Sequence, residues 1–138
     1  MTEAAASDPA NILLVDDNDQ ARVTVTRILE SAGYRVTEAA NAKAAVVLLK
    51  DLSPDLVITD IFMPEGDGFE MINELRHHGM QVPVIAISGG GLATGLDVLA
   101  IAGRLGAQAV LYKPFTRRQL LDAASAALSA GPPSVPQS

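Results

Sequence analysis

Asp16 and Asp17 follow the apolar run Ile12-Leu13-Leu14-Val15, and Asp60 closes Leu56-Val57-Ile58-Thr59. Ser88 follows Val84-Ile85-Ala86-Ile87, and Lys113-Pro114 follows Ala109-Val110-Leu111-Tyr112. An apolar run that stops at a carboxylate has the form of a buried strand delivering an acid to its carboxyl end. Three carboxylates gathered in one cleft repel one another: at ~4 Å and an effective dielectric of ~20, each like-charge pair costs about 4 kcal/mol. A hard divalent cation with oxygen ligands relieves that repulsion. A carboxylate can also attack a phosphoryl centre.

These groups converge if the runs are parallel strands of one sheet. In an open α/β sheet the carboxyl ends of the strands line one edge, and ligands bind where the strand order reverses. Helical stretches separate the runs. Ala21, Val25, Ile28, Leu29 and Ala32 recur at the spacing of a core-facing helix face, with Asp19 as the expected N-cap and Gly33 as the C-terminal stop. Tyr34 to Glu38 alternates apolar and polar residues, which predicts a half-exposed edge strand. Asn41 is placed to cap a second, Ala-rich helix ending near Asp51. Phe69, Ile72, Leu75 and Arg76 predict a third helix that stops near Gly79. The fourth strand, Val82 to Ser88, runs into Gly89-Gly90-Gly91, and Thr94 offers the start of a fourth helix. Thr116 and Gln119 fit a capping box for a fifth helix, with Leu120, Leu121, Ala124 and Leu128 as its buried stripe and its end near Gly131. Five strands alternating with five helices imply right-handed βα units and a parallel sheet covered on both faces.

A chain of 138 residues with 49% apolar content fits one domain with an ample core and leaves no room for a second. Residues 1–10 read as a flexible arm, 11–130 as the folded unit and 131–138 as a Pro-rich disordered tail. The absence of cysteine excludes disulfides, thiolate metal sites and cysteine nucleophiles. A net charge of -6 argues against direct nucleic-acid binding, which demands a basic footprint. No signal peptide is recognisable, and no apolar run approaches the ~20 residues of a membrane span. A cytoplasmic protein is expected.

The acid pair, the acid, the hydroxyl and the Lys-Pro, each after a successive strand, resemble the set found in receiver domains of two-component response regulators. The resemblance covers roughly residues 11 to 128. It supplies the flavodoxin-like, doubly wound strand order 2-1-3-4-5, which sets the first and third strands side by side. It implies that Asp60 is the phosphoacceptor and that Mg²⁺ is held directly by Asp17, Asp60 and the backbone carbonyl of Phe62, and through water by Asp16. Lys113 and Ser88 would bind the phosphoryl group, and the Lys113-Pro114 bond would be cis. The phosphoryl donor would be a sensor histidine kinase or a histidine phosphotransfer protein. Phosphorylation would switch a face built from the fourth helix, fifth strand and fifth helix toward a downstream protein target or a second copy of the chain. On this reading the chain is a phosphoacceptor that catalyses its own phosphorylation and dephosphorylation, not a turnover enzyme, and it carries no output domain.

The pattern departs from the family in places. The position three before the lysine, usually a rotating aromatic, is Val110, and the nearby aromatic is Tyr112; this counts against an aromatic switch. Phe62, two after Asp60, could exclude attacking water and prolong phosphorylation, or simply contact a partner. Gly89 to Gly91 could form a mobile loop that follows Ser88, or a plain glycine turn. His77-His78 reads as charge favouring a helix C-terminus rather than as a relay site. Arg117-Arg118 opposes the dipole at a helix start and has no evident folding role; it reads as a solvated face or a partner contact.

Two other activities fit parts of the pattern. An aspartate-nucleophile phosphatase of the haloacid dehalogenase family would need an acid where Phe62 stands. A flavodoxin-like flavin binder would place phosphate where Asp16-Asp17-Asn18-Asp19 would repel it.

Overall fold

Short runs of aliphatic residues, too long to leave in water and too short to span anything but a small sheet, set the architecture. The computed structural model describes residues 9–60, 68–77, 81–88 and 106–130. Its strands are β1 (Asn11–Val15), β2 (Arg35–Ala39), β3 (Leu56–Asp60), β4 (Val84–Ser88) and β5 (Ala109–Tyr112). All pairings are parallel, and the order is β2-β1-β3-β4-β5, as the resemblance implied. The alternating segment β2 is at an edge. The described helices are α1 (Asp19–Ser31), α2 (Ala42–Leu48), α3 (Gly68–His77) and α4 (Arg117–Ala130). Thus α4 is the helix expected as the fifth; the one expected from Thr94 lies outside the described residues.

Alternation along each strand sends side chains to two cores. Leu13, Val15, Val57 and Val84 pack with Ala42, Ala45, Ile72 and Leu75 beneath α2 and α3. Ile12, Leu14, Ile58, Ile85 and Ile87 pack with Val25, Leu29, Leu120 and Ala124 beneath α1 and α4. Burial of each such side chain stabilises the fold by about 1.5–3 kcal/mol relative to exposure. Because β1, β3 and β4 are covered on both faces, continuous apolar runs are required in them, and alternation is tolerated only at the margin.

Helix ends follow local chemistry with one correction. The N-cap of α1 is Asn18, whose side chain accepts from the Ala21 amide at 2.8 Å, and not Asp19. Asp19 is the first helical residue, and its carboxylate is engaged by Arg22. Gly33 ends α1 at φ +96°, a conformation that favours glycine. Asn41 caps α2, which is shorter than expected: it closes at Leu48 and continues as turns, with the Leu52 amide still donating to the Leu48 carbonyl. Pro83, which lacks an amide proton, immediately precedes β4, and the strand begins at Val84 rather than Val82. The Thr116 hydroxyl accepts from the Gln119 amide at 3.0 Å while Gln119 Oε1 accepts from the Thr116 amide at 2.8 Å, a complete capping box. Arg117, which had no evident role, donates to the Ser31 hydroxyl at 2.9 Å and so joins α4 to the end of α1.

Candidate functional site: an acidic cleft at the carboxyl ends of β1 and β3

The register explains why the acids meet. Val15 pairs with Thr59 across β1 and β3, so the next residues, Asp16 and Asp60, emerge side by side at the point where strand order reverses. Asp16, Asp60 and Lys113 each stand two residues after a member of the core beneath α1 and α4, namely Leu14, Ile58 and Leu111. Strand alternation therefore directs all three toward one side of the sheet edge.

Asp16 and Asp60 are buried, at 1% and 5% exposure, and Asp17 is exposed. One carboxylate oxygen from each lies within 4.8 Å of the others. An all-oxygen carboxylate set of this kind suits a hard cation such as Mg²⁺ better than a soft one. Lys113 Nζ lies 3.5 Å from Asp16 Oδ2 and 3.4 Å from Asp60 Oδ2, partly offsetting the charge of the two buried acids. Its backbone is set by the amide, which donates to the Ser88 carbonyl at 2.9 Å, and the Lys113-Pro114 bond is cis.

Ser88 is buried at the end of β4, beside β3: Asp60 pairs with Ile87, one residue earlier. It pairs in turn with Tyr112, whose side chain is 54% exposed, whereas Val110 on the same face of β5 is half-buried. Asp16, Asp17, Asp60 and Lys113 are thus gathered, with Ser88 on the adjoining strand end. Phe62 and Gly89 to Gly91 lie outside the described residues, as does His78; His77 is exposed in the last turn of α3.

Arg22 and Asn18 beside the site, and Arg76 at the far end of the sheet, were given no hydrogen-bonding role by the sequence. Arg22 donates to the Asp16 carbonyl at 2.6 Å, to Asp19 at 2.6 Å and to Glu38 at 2.9 Å. The Asp19-to-Arg22 spacing was a visible signal for one of these bonds; nothing local announces the others. Asn18, besides capping α1, donates its amide to Asp16 Oδ1 at 2.9 Å. Farther off, at the amino ends of β4 and β5, Arg76 donates to the carbonyls of Val82 at 2.9 Å and Gly106 at 3.1 Å. A groove of about 910 Å³ lies between α2 and α3, and none of the convergent groups lines it.

A family model described as the response regulator receiver domain matches residues 12–125. The chain belongs to that family. The receiver domain of NtrX from Brucella abortus, solved as a crystal structure, is similar over 87% of this chain and 99% of its own, with a TM-score of 0.78 and 34% identity. The response regulator Rre1 of Synechocystis is 36% identical over 118 residues, which cover 83% of this chain and 49% of that protein. The sensor kinase CckA of Brucella abortus is 35% identical over 116 residues, 83% of this chain but 12% of the kinase. This receiver domain therefore spans about half the length of one relative and a small part of the other. Among its described residues, no helix is long and apolar enough to cross a membrane.

Proposed function

We propose that this receiver domain accepts a phosphoryl group on Asp60 from a phosphohistidine donor, a sensor histidine kinase or a histidine phosphotransfer protein, and signals by protein contact. The observation that carries this reading is the gathering of Asp16, Asp17 and Asp60 with the Lys113 ammonium within 3.5 Å of two of them. An Asp60 oxygen supplies the electron pair of the new P–O bond as the donor's P–N bond breaks, and the imidazole nitrogen keeps that bond's electrons. Asp16, Asp17, Asp60 and the Phe62 carbonyl would hold Mg²⁺, which when bound supplies neutralising charge to carboxylates and phosphoryl oxygens. Lys113 exchanges a carboxylate contact for a phosphoryl oxygen, and the Ser88 hydroxyl donates to another.

The donor has room to approach. A cleft of about 580 Å³ beside the site is lined by Gln20, Thr24 and Ile28 of α1 together with Lys113, Pro114 and Phe115. The aspartyl phosphate adds about -1.5 to -2 charges. Ser88 and the residues after it respond, biasing two conformers of the face that includes β5 and α4, which meets a target protein or a second copy of the chain. The acting unit is residues 11–130, it works in the cytoplasm, and it contacts no nucleic acid directly.

Incubation with a small phosphodonor and Mg²⁺, followed by mass measurement, tests the reading. Wild type gains one phosphoryl group and Asp60→Asn gains none. A gain by Asp60→Asn, or none by wild type, overturns it.

A further inference from the structure

We propose that Arg22 is a positioning residue for the divalent-cation site: from behind, it locks the peptide that joins Asp16 to Asp17. This rests on the cation-site reading above.

The β1–α1 turn is held at Asp16 by several bonds that do not involve Arg22. The Asp16 amide donates to the Ala39 carbonyl at 3.1 Å, and its carboxylate accepts from the Asn18 amide and faces Lys113. Asp17 differs. Its side chain is exposed, and its direction follows from the orientation of the preceding peptide plane, whose carbonyl oxygen is the one that Arg22 Nη1 grips at 2.6 Å. The arginine is itself fixed at its other two corners, by Asp19 on α1 and Glu38 on β2, and only 15% of its side chain is exposed. A planar fork with three partners on three separate segments defines an orientation that a point charge cannot. Groups that orient a ligand without touching the metal tune affinity strongly: their loss commonly costs 10–100-fold.

The sign of the effect separates positioning from simple electrostatics. A cation beside an acidic cluster opposes the binding of a second cation, so its removal by Coulomb effects alone tightens Mg²⁺ binding. Loss of the peptide's orientation weakens it.

The test is calorimetric titration of the full chain with Mg²⁺, as wild type, Arg22→Met and Arg22→Lys, well below the unfolding temperature. It is paired with amide exchange in metal-free protein. For Arg22→Met we expect the dissociation constant to rise about tenfold and exchange to accelerate at the Asp17 and Asn18 amides while the core strands stay protected. Arg22→Lys keeps the charge but not the fork, so its affinity falls too, without the Coulomb gain that accompanies Arg22→Met; it also serves where Arg22→Met does not fold. Equal or tighter Mg²⁺ binding in Arg22→Lys, with wild type binding normally, overturns the role of Arg22 alone. Wild type that takes up no Mg²⁺ overturns the cation site and this inference with it.

Discussion

Lys113 faces Asp16 and Asp60 at 3.5 and 3.4 Å with 30% of its side chain exposed, whereas Arg22 holds the same turn through bonds of 2.6 to 2.9 Å and is half as exposed. Lys113 lies in front of the acids, on a flexible stem, at distances long enough for each contact to be exchanged. Arg22 lies behind them, and each of its three guanidinium nitrogens donates a hydrogen bond. Its hydrogen bond to Asp19 raises its pKa above the ordinary value, against the opposing effect of burial and with help from Glu38. Under the proposed function, Lys113 must trade partners during phosphoryl transfer and is best held loosely, whereas Arg22, proposed to keep two acids aligned, is best held tightly. The same charge thus does different work according to how many of its partners are fixed.

Substitution of Lys113 gives the largest expected effect and the sharpest contrast. Lys113→Met should slow phosphorylation by a small donor about 10²–10³-fold, the range for losing one group that stabilises developing charge. The same change should tighten Mg²⁺ binding severalfold, because a competing cation leaves the cleft. Parallel rate and titration measurements decide: a Lys113→Met protein with weaker Mg²⁺ binding would place Lys113 in the same class as Arg22 and dissolve the distinction.

Arg76 extends the comparison to the opposite end of the sheet, where it donates to two neutral carbonyls. Burial lowers its pKa from the ordinary arginine value, the reverse of Arg22. Arg76→Ala should cost about 2–3 kcal/mol, since the Val82 and Gly106 carbonyls lose a charged donor in a half-buried setting. Mg²⁺ affinity should stay unchanged. Urea midpoints together with metal titration check both halves, and a shift in affinity would show that the two ends of the sheet are coupled. Gly106 is tied to the same clamp: at φ +85°, an added Cβ would meet the Arg76 guanidinium at 3.3 Å.

The smallest effect belongs to a site with no charge at all. Thr116→Ala should cost about 1 kcal/mol through loss of the α4 cap, with phosphorylation and Mg²⁺ binding intact. A larger loss, or any change in phosphorylation, would mean that the start of α4 is linked to Lys113 more closely than a helix cap requires.

Contacts between near neighbours could be read directly from the chain. Thr116 and Gln119 are three apart, so their capping box needed no tertiary information. Continuous runs such as Leu56 to Thr59 suit a strand covered on both faces, which is why the acid that ends one of them could be placed at a strand's carboxyl end. Choices among near-equal neighbours were less legible. Asn18 and Asp19 can both cap α1; Asn18 takes the cap, and the Asp19 carboxylate is engaged by Arg22.

The sequence by itself determined which acids, hydroxyl and lysine stand at the strand ends, because hydrophobic periodicity and residue type are local properties. Only the tertiary structure decided how those residues are held. Glu38 lies 16 positions from Arg22 and Ser31 lies 86 from Arg117, and each pair meets because parallel strands and packed helices bring distant segments to one edge. Hydrogen bonds over such separations depend on the register of the sheet and the packing of both cores, and no short stretch of sequence contains that information.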